Sequence, residues 1–190
     1  MRTGIINMLL LKEKYIKEVL PALKEKFGYK NNLAVPKIIK VVVNVGFNPV
    51  TGGEKIQEDL SKDLMSITGQ KPNACQVKKP ESSFKTRKGM VNGLKVTLRG
   101  QRMYDFLNRL VHLSLPRGRD FRGFPESGID QAGNLNIGIK EHIIFSEISA
   151  ENVRKIFGFQ ITVVSTSKNR EQGLELFKLL SFPIKFKDKE

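Results

Sequence analysis

Three side chains in one short segment carry the most suggestive chemistry of this sequence. Lys95, Thr97 and Arg99 recur at every second position within residues 93–100. On a β-strand, residues two apart share a face, so two cations and a hydroxyl would stand in one row. Leu94, Val96 and Leu98 would form the opposite, core-facing row. Cations pair with phosphate oxygens, and hydroxyls and amides hydrogen-bond phosphate or the ribose 2′-hydroxyl. Lys40, Asn44, Gln160 and Thr162 occupy the outward phase of two other alternating runs and would extend the same surface. Alternation alone fits an ordinary solvated antiparallel sheet equally well.

Two further clusters are basic. Residues 71–88 carry Lys71, Lys78, Lys79, Lys85, Arg87 and Lys88 against Glu81 alone, with Phe84 among them. A basic loop can reach a nucleic-acid backbone, and each phosphate that it neutralises steepens the salt dependence of binding. The bland reading is a solvated hairpin tip, against which the aromatic Phe84 counts. The turn holding Arg117, Arg119 and Arg122 with Gly118 and Gly123 suits bidentate phosphate pairing and close backbone approach. One of those arginines could instead be held by Asp120 as an internal staple.

Catalytic chemistry is poorly supplied. Residues 52–55 (Gly-Gly-Glu-Lys) lack the ending and spacing of a phosphate-binding loop. Cys75 has no histidine near it in sequence. His112 lies in an apolar helical stretch and reads as packed, and His142 beside an apolar knot could be packed or functional. No Cys or His set has the spacing of a metal site. No catalytic residue, cofactor or metal is expected.

The charge balance favours a polyanionic partner. Lys and Arg number 33 against 19 Asp and Glu, a net +14 over 190 residues, and such an excess is relieved by nucleic acid. A membrane surface is a weaker candidate, because the apolar residues 5–11 fall far short of a span of about 20 residues. They also lack a small-residue cleavage site. The single cysteine rules out an internal disulfide and fits a reducing, cytoplasmic location.

The elements that must position these groups follow from periodicity. Residues 9–27 have helical spacing, with Ile16, Val19, Leu20, Leu23 and Phe27 on one stripe and Pro21 expected to bend or restart the helix. Residues 38–45 read as a strand with Ile39, Val41, Val43 and Val45 inward. Helices are expected at 54–68 and 101–113, the second closed by Pro116. Strands are expected at 91–99, 134–140 and 159–166, and a last helix at 169–180. Residues 117–133 read as a long ordered loop. The order is α-β-α-β-β-α-β-β-α. Strands that alternate apolar with polar need helices on one face only. The expected fold is one α+β domain over residues 9–190, mainly antiparallel, with an open face and a basic loop at about 71–88; residues 1–8 form a tail.

Taken in order, these residues resemble a known family. The matching stretches include Val43-Asn44-Val45-Gly46, residues 68–72 (Thr-Gly-Gln-Lys-Pro), residues 95–100, Arg102-Met103-Tyr104-Asp105-Phe106, residues 116–123, Gly138-Ile139-Lys140-Glu141 and Phe182-Pro183. The chain is similar over nearly its whole length to the bacterial large-subunit ribosomal protein L-five family. It departs from the family's pattern at residues 80–84, where Glu81 adds a negative charge, and at residues 129–134, which lose an aromatic and an arginine.

The resemblance implies a ribosome-bound, non-catalytic protein of the central protuberance, holding 5S rRNA on its sheet face and touching 23S rRNA. It also implies neighbouring ribosomal proteins of the protuberance. By matching position, Asn44, Gln70, Lys71, Lys95, Thr97 and Arg99 would contact rRNA. Residues 78–88 would face the P-site tRNA. The region after Pro116 would contribute a bridge to the small subunit beside its protein S-thirteen. An RNA chaperone acting outside the ribosome is the alternative, and an enzyme acting on nucleic acid is the competitor from another class.

Overall fold

The β-branched run that begins at Ile38 becomes the centre of the molecule. The computed structural model describes residues 10–83, 85–119, 121–148, 153 and 156–185, and of residues 49–55 the backbone alone. The tail at 1–8, Phe84 and the Asp120 staple lie outside these residues. Strand β1 (Ile38–Gly46) pairs antiparallel on one side with β3 (Val91–Leu98) and on the other with β6 (Phe159–Ser165). The edges are β2 (Asn73–Gln76) on β3 and β5 (Leu135–Ile139) on β6, giving the order β2-β3-β1-β6-β5, antiparallel throughout. A separate two-stranded parallel pair joins β4 (Phe124–Pro125) to β7 (Ile184–Lys185).

Alternation sorts the two faces. Val41, Val43, Val45, Leu94, Val96, Leu98, Leu135, Ile137, Ile161 and Val163 are all buried. The helices supply the facing apolar layer: Leu11, Val19 and Leu23 from α1 (residues 11–27); Leu60, Leu64 and Ile67 from α2 (Pro49–Thr68); Met103, Phe106, Leu107 and Leu110 from α3 (residues 100–117); Leu176 and Phe177 from α4 (Arg170–Leu179). This is the one-sided α+β arrangement that the alternation implies. Among the described residues no helix is long and apolar enough to cross a membrane.

Ile39 differs from expectation. It is 44% exposed while Ile38 is buried, because the pairing register shifts between Ile38 and Lys40. Two β1 residues there oppose one on β6, a bulge that resets the alternation by one position.

The prolines also act differently from a simple break. Around Pro21 the helical run is continuous, a regular α-helical segment resuming at Leu20 with the proline in its first turn, and Pro116 does not close α3, which runs on through Arg117. In both helices the turn just before the proline is widened to a π turn, Tyr15–Val19 and Leu110–Ser114. Leu20 N–H reaches Tyr15 O and Leu115 N–H reaches Leu110 O, five residues back. Widening moves aside the carbonyls that a proline ring would strike and whose bonds it cannot complete. It also shifts helical phase. Leu11 and Val19 would stand about 80° apart on a plain α-helix at about 100° per residue, and one absorbed residue returns them to one stripe. Ile16, inside the widened turn, is left 58% exposed.

Helix α2 starts at Pro49, earlier than the expected residue 54. The basic stretch 71–88 is not all loop, since β2 occupies Asn73–Gln76. The long segment 117–133 likewise contains β4 and a 3-10 turn at Glu126–Gly128.

Candidate nucleic-acid interface

The strand register assembles the polar residues into rows. Asn73 pairs with Lys95, Lys95 with Asn44, Asn44 with Gln160, and Gln160 with Gly138. One unbroken row therefore crosses all five strands. The next row runs Thr97, Val42, Thr162, Asn136. Lys40 pairs with Val164 one step further along, and Arg99 follows β3 in the same phase as Lys95 and Thr97. Asn44, Lys95, Arg99 and Gln160 are exposed and Lys40 and Thr97 half-buried.

Gln70 and Lys71 enter from the side. Helix α2 ends at Thr68, whose hydroxyl donates to Leu64 O at 2.6 Å, and Gly69 turns the chain with φ +68°. Gln70 then reaches β3, its Nε2 donating to Thr97 O at 3.4 Å, with Lys71 exposed next to it. The structure thus brings Lys40, Asn44, Gln70, Lys71, Lys95, Thr97 and Arg99 to one face and its margin.

The basic loop projects from the β2–β3 end of this sheet. Val77 N–H donates to Met90 O and Gly89 N–H to Val77 O at its base. Near the tip Glu81 and Thr86 form an antiparallel bridge. Lys78, Lys79, Lys85, Arg87 and Lys88 are exposed along it, and Lys85 takes a left-handed φ of +52° at the turn. Glu81 is part of this tip, accepting from the Ser83 hydroxyl at 3.0 Å.

Arg117, Arg119 and Arg122 belong to a different element. Arg117 is exposed at the end of α3, and Arg119 and Arg122 on the turn that leads to β4, where Phe121 packs edge-on against Phe124 at 5.1 Å. Gly123 (φ +97°) lies so close to Pro183 that a Cβ there would meet its carbonyl oxygen at 2.9 Å. Among the described residues no strand pairing joins this turn to the five-stranded sheet.

Sequence reasoning left Asn73 and Asn136 out of the face. Asn136 stands outward in the 134–140 alternation and Asn73 opposite Lys95, but only the pairing shows both to be row members.

Acid–base groups lie elsewhere. His142 is 0% exposed, stacked on Phe157 at 4.0 Å, with Nε2 3.7 Å from Asp63 Oδ2 and Nδ1 accepting from Phe157 N–H at 3.4 Å. Burial holds its pKa below the ordinary value, although the nearby Asp63 carboxylate opposes this, and burial raises that of Asp63. Burial, then nearby Lys14, lowers His112. An enclosed imidazole offers a substrate no approach. Cys75 is half-buried on the polar face opposite Gly93. Among the described residues no group of His, Cys, Asp and Glu could hold a metal. The face offers cations, amides and hydroxyls, groups that can bind a polyanion.

Known proteins similar to this chain are ribosomal. Residues 31–87 match the family described as Ribosomal protein L5, and residues 91–184 match the model for the C-terminus of that ribosomal family. The large ribosomal subunit protein uL5 of Dictyoglomus turgidum is 49% identical over 178 residues, covering 94% of this chain and 99% of the relative. That of Pelagibacter ubique is 49% identical over 173 residues (91% and 94%), and that of Halothermothrix orenii 47% over 176 (93% and 98%). Both halves of the sheet fall within these matches, and the chain belongs to the ribosomal protein L5 family, whose members are structural proteins of the ribosome and not enzymes.

Proposed function

We propose that this chain is a structural protein of the large ribosomal subunit that holds 5S rRNA on the open face of its sheet. The observation that carries the reading is the polar row from Asn73 through Lys95, Asn44 and Gln160 to Gly138, with the helices packed on the opposite face. The relatives named as uL5 proteins of the large ribosomal subunit support the setting. In this reading Lys40, Asn44, Gln70, Lys71, Lys95, Thr97 and Arg99 contact rRNA, with 23S rRNA at the margins. The exposed lysines and arginine of the 77–90 loop reach toward P-site tRNA. Arg117, Arg119 and Arg122 serve rRNA or the bridge to the small subunit beside its protein S-thirteen. The protein then works in the cytoplasm, bound to the ribosome among the other proteins of the central protuberance.

The test is binding of 5S rRNA by the wild type and by Lys95→Ala and Arg99→Ala across a salt series. Each lost phosphate contact lowers the salt slope by about 0.7 to 0.9. Wild-type affinity and slope in both variants would refute the face assignment. Equal affinity of the wild type for 5S rRNA and unrelated RNAs would favour the chaperone reading.

A further inference from the structure

The open face is chemically uneven. Its cations Lys40, Lys95 and Arg99 lie on or beside β1 and β3, with Lys71 at the margin. The β5 and β6 half presents Asn136, Gly138, Gln160, Thr162 and Val164, and a cation, Lys140, appears only past the end of β5. Resting on the reading of this face as an RNA-binding surface, we propose that the β5–β6 half is a base-reading subsite. Asn136 and Gln160 there hydrogen-bond the edge of an unstacked nucleotide seated over Gly138, while the β1–β3 half grips phosphates.

The amide geometry supports this. The Thr162 hydroxyl donates to Asn136 Oδ1 at 2.8 Å and Gln160 Nε2 donates to the same oxygen at 3.3 Å. With its carbonyl turned to these two donors, the Asn136 amide leaves its NH2 group to donate outward. Gln160 has spent one N–H and keeps its carbonyl oxygen as an acceptor. Among the described residues neither group has another partner. An adjacent donor and acceptor joined by such a network is what reads a base edge, whereas a phosphate, which only accepts, has no use for the acceptor.

Gly138 supplies the floor. It pairs with Gln160 and follows Asn136 by two residues, so it lies beside both side chains. Glycine weakens a strand interior, and there it often marks a place where something approaches the backbone closely. The protein itself gives no reason for glycine here. Its φ is not in the left-handed region, and a Cβ would meet nothing within 4 Å. The space above it is free for a ribose or a base. Phosphate contacts position an RNA and base contacts specify it, and the two halves of the sheet divide those tasks.

The experiment compares Asn136→Ala, Gln160→Ala and Gly138→Ala with Lys95→Ala, on 5S rRNA and on a fully paired RNA duplex of similar length, across a salt series. The three neutral-half variants are expected to weaken 5S rRNA binding by about tenfold each at every salt concentration, the loss of a base contact. Their salt slopes and duplex affinities stay at wild-type values. Lys95→Ala instead makes the slope shallower by about 0.7 to 0.9 on both RNAs. If the neutral-half variants bind 5S rRNA like the wild type while Lys95→Ala is weakened, the subsite is wrong and the face reading stands. If all four bind like the wild type, the face reading itself falls. Thermal melting of Gly138→Ala is expected at or above the wild-type temperature, and a fall would contradict the open space on which the subsite depends.

Discussion

Replacing Gly173 with alanine puts one methyl group against a backbone that has no room for it. Gly173 lies in α4, and a Cβ there would meet Gly133 Cα and Gly133 O at 2.5 Å each. Ordinary contact begins at 3.4 Å, so helix and turn must separate by about 1 Å. The turn cannot yield easily. Gly133 has φ +76°, its N–H donates to Asp130 O at 3.1 Å, and its carbonyl accepts from the buried Ser165 hydroxyl at 2.8 Å. Asn134 is held by Asp130 Oδ1 at 2.7 Å and accepts from Ser165 N–H at 3.0 Å, which aligns the start of β5 on β6. Overpacking against backbone falls at the upper end of its range, about 3 kcal/mol. Alanine returns about 1 kcal/mol of helix propensity. The net loss is about 2 kcal/mol, or about 4 to 8 °C in melting temperature for a chain of this size. Urea unfolding should show the loss at an unchanged denaturant slope. If Gly173→Ala instead gains about 1 kcal/mol, the helix and the turn are not in contact and the reasoning fails. The displaced turn also leads into Asn136 and Gly138, so 5S rRNA binding should weaken along with stability.

Three other outcomes are expected. Stability should fall as pH drops through about 6.5, because the unfolded chain binds a proton at His142 and His112 that the folded chain resists. The raised Asp63 pKa acts in the opposite sense at lower pH, where folding favours its protonated form. Urea midpoints at about pH 5.5 and 7.5 should differ less in His142→Phe than in the wild type, and an equal difference would assign the effect elsewhere. Phe106→Ala, which removes a 0% exposed ring stacked on Phe145, should cost about 3 to 5 kcal/mol in chemical unfolding. A loss below about 1 kcal/mol would contradict its place in the core. Alkylation of Cys75, which shares the polar face with Asn73 and Lys95, should slow when 5S rRNA is bound. An unchanged rate would remove β2 from the interface.

The polar face was legible in the sequence because a period of two is a local property. Lys95, Thr97 and Arg99 declare their side of the strand without reference to any partner, and so do Leu94, Val96 and Leu98. What was illegible depends on neighbours. The bulge at Ile39 arises from pairing with β6, and nothing in residues 38–45 alone marks the slipped position. The widened turns before Pro21 and Pro116 keep each helix intact because the core on both sides holds it, while propensity alone reads a proline as a break. Strand β2 sits inside a run of cations and exists because β3 offers it an edge. The grouping of Asn136, Gly138, Gln160 and Thr162 depends on the β5–β6 register, so residues more than 20 positions apart meet only once the sheet is built.

The five-strand row has a consequence for the shape of what it can hold. Adjacent strands in a sheet rotate by about 20° with a fixed hand and lie about 4.8 Å apart. From β2 to β5 there are four such steps, so the face turns by about 80° over about 19 Å. A sheet with that average twist is a saddle whose two edge strands run nearly across one another. A straight rod laid on a saddle touches along a limited line. A ligand that engages both ends of the row must bend with it, and under the RNA-binding reading proposed above that favours a folded loop of RNA over an extended duplex before any base is read.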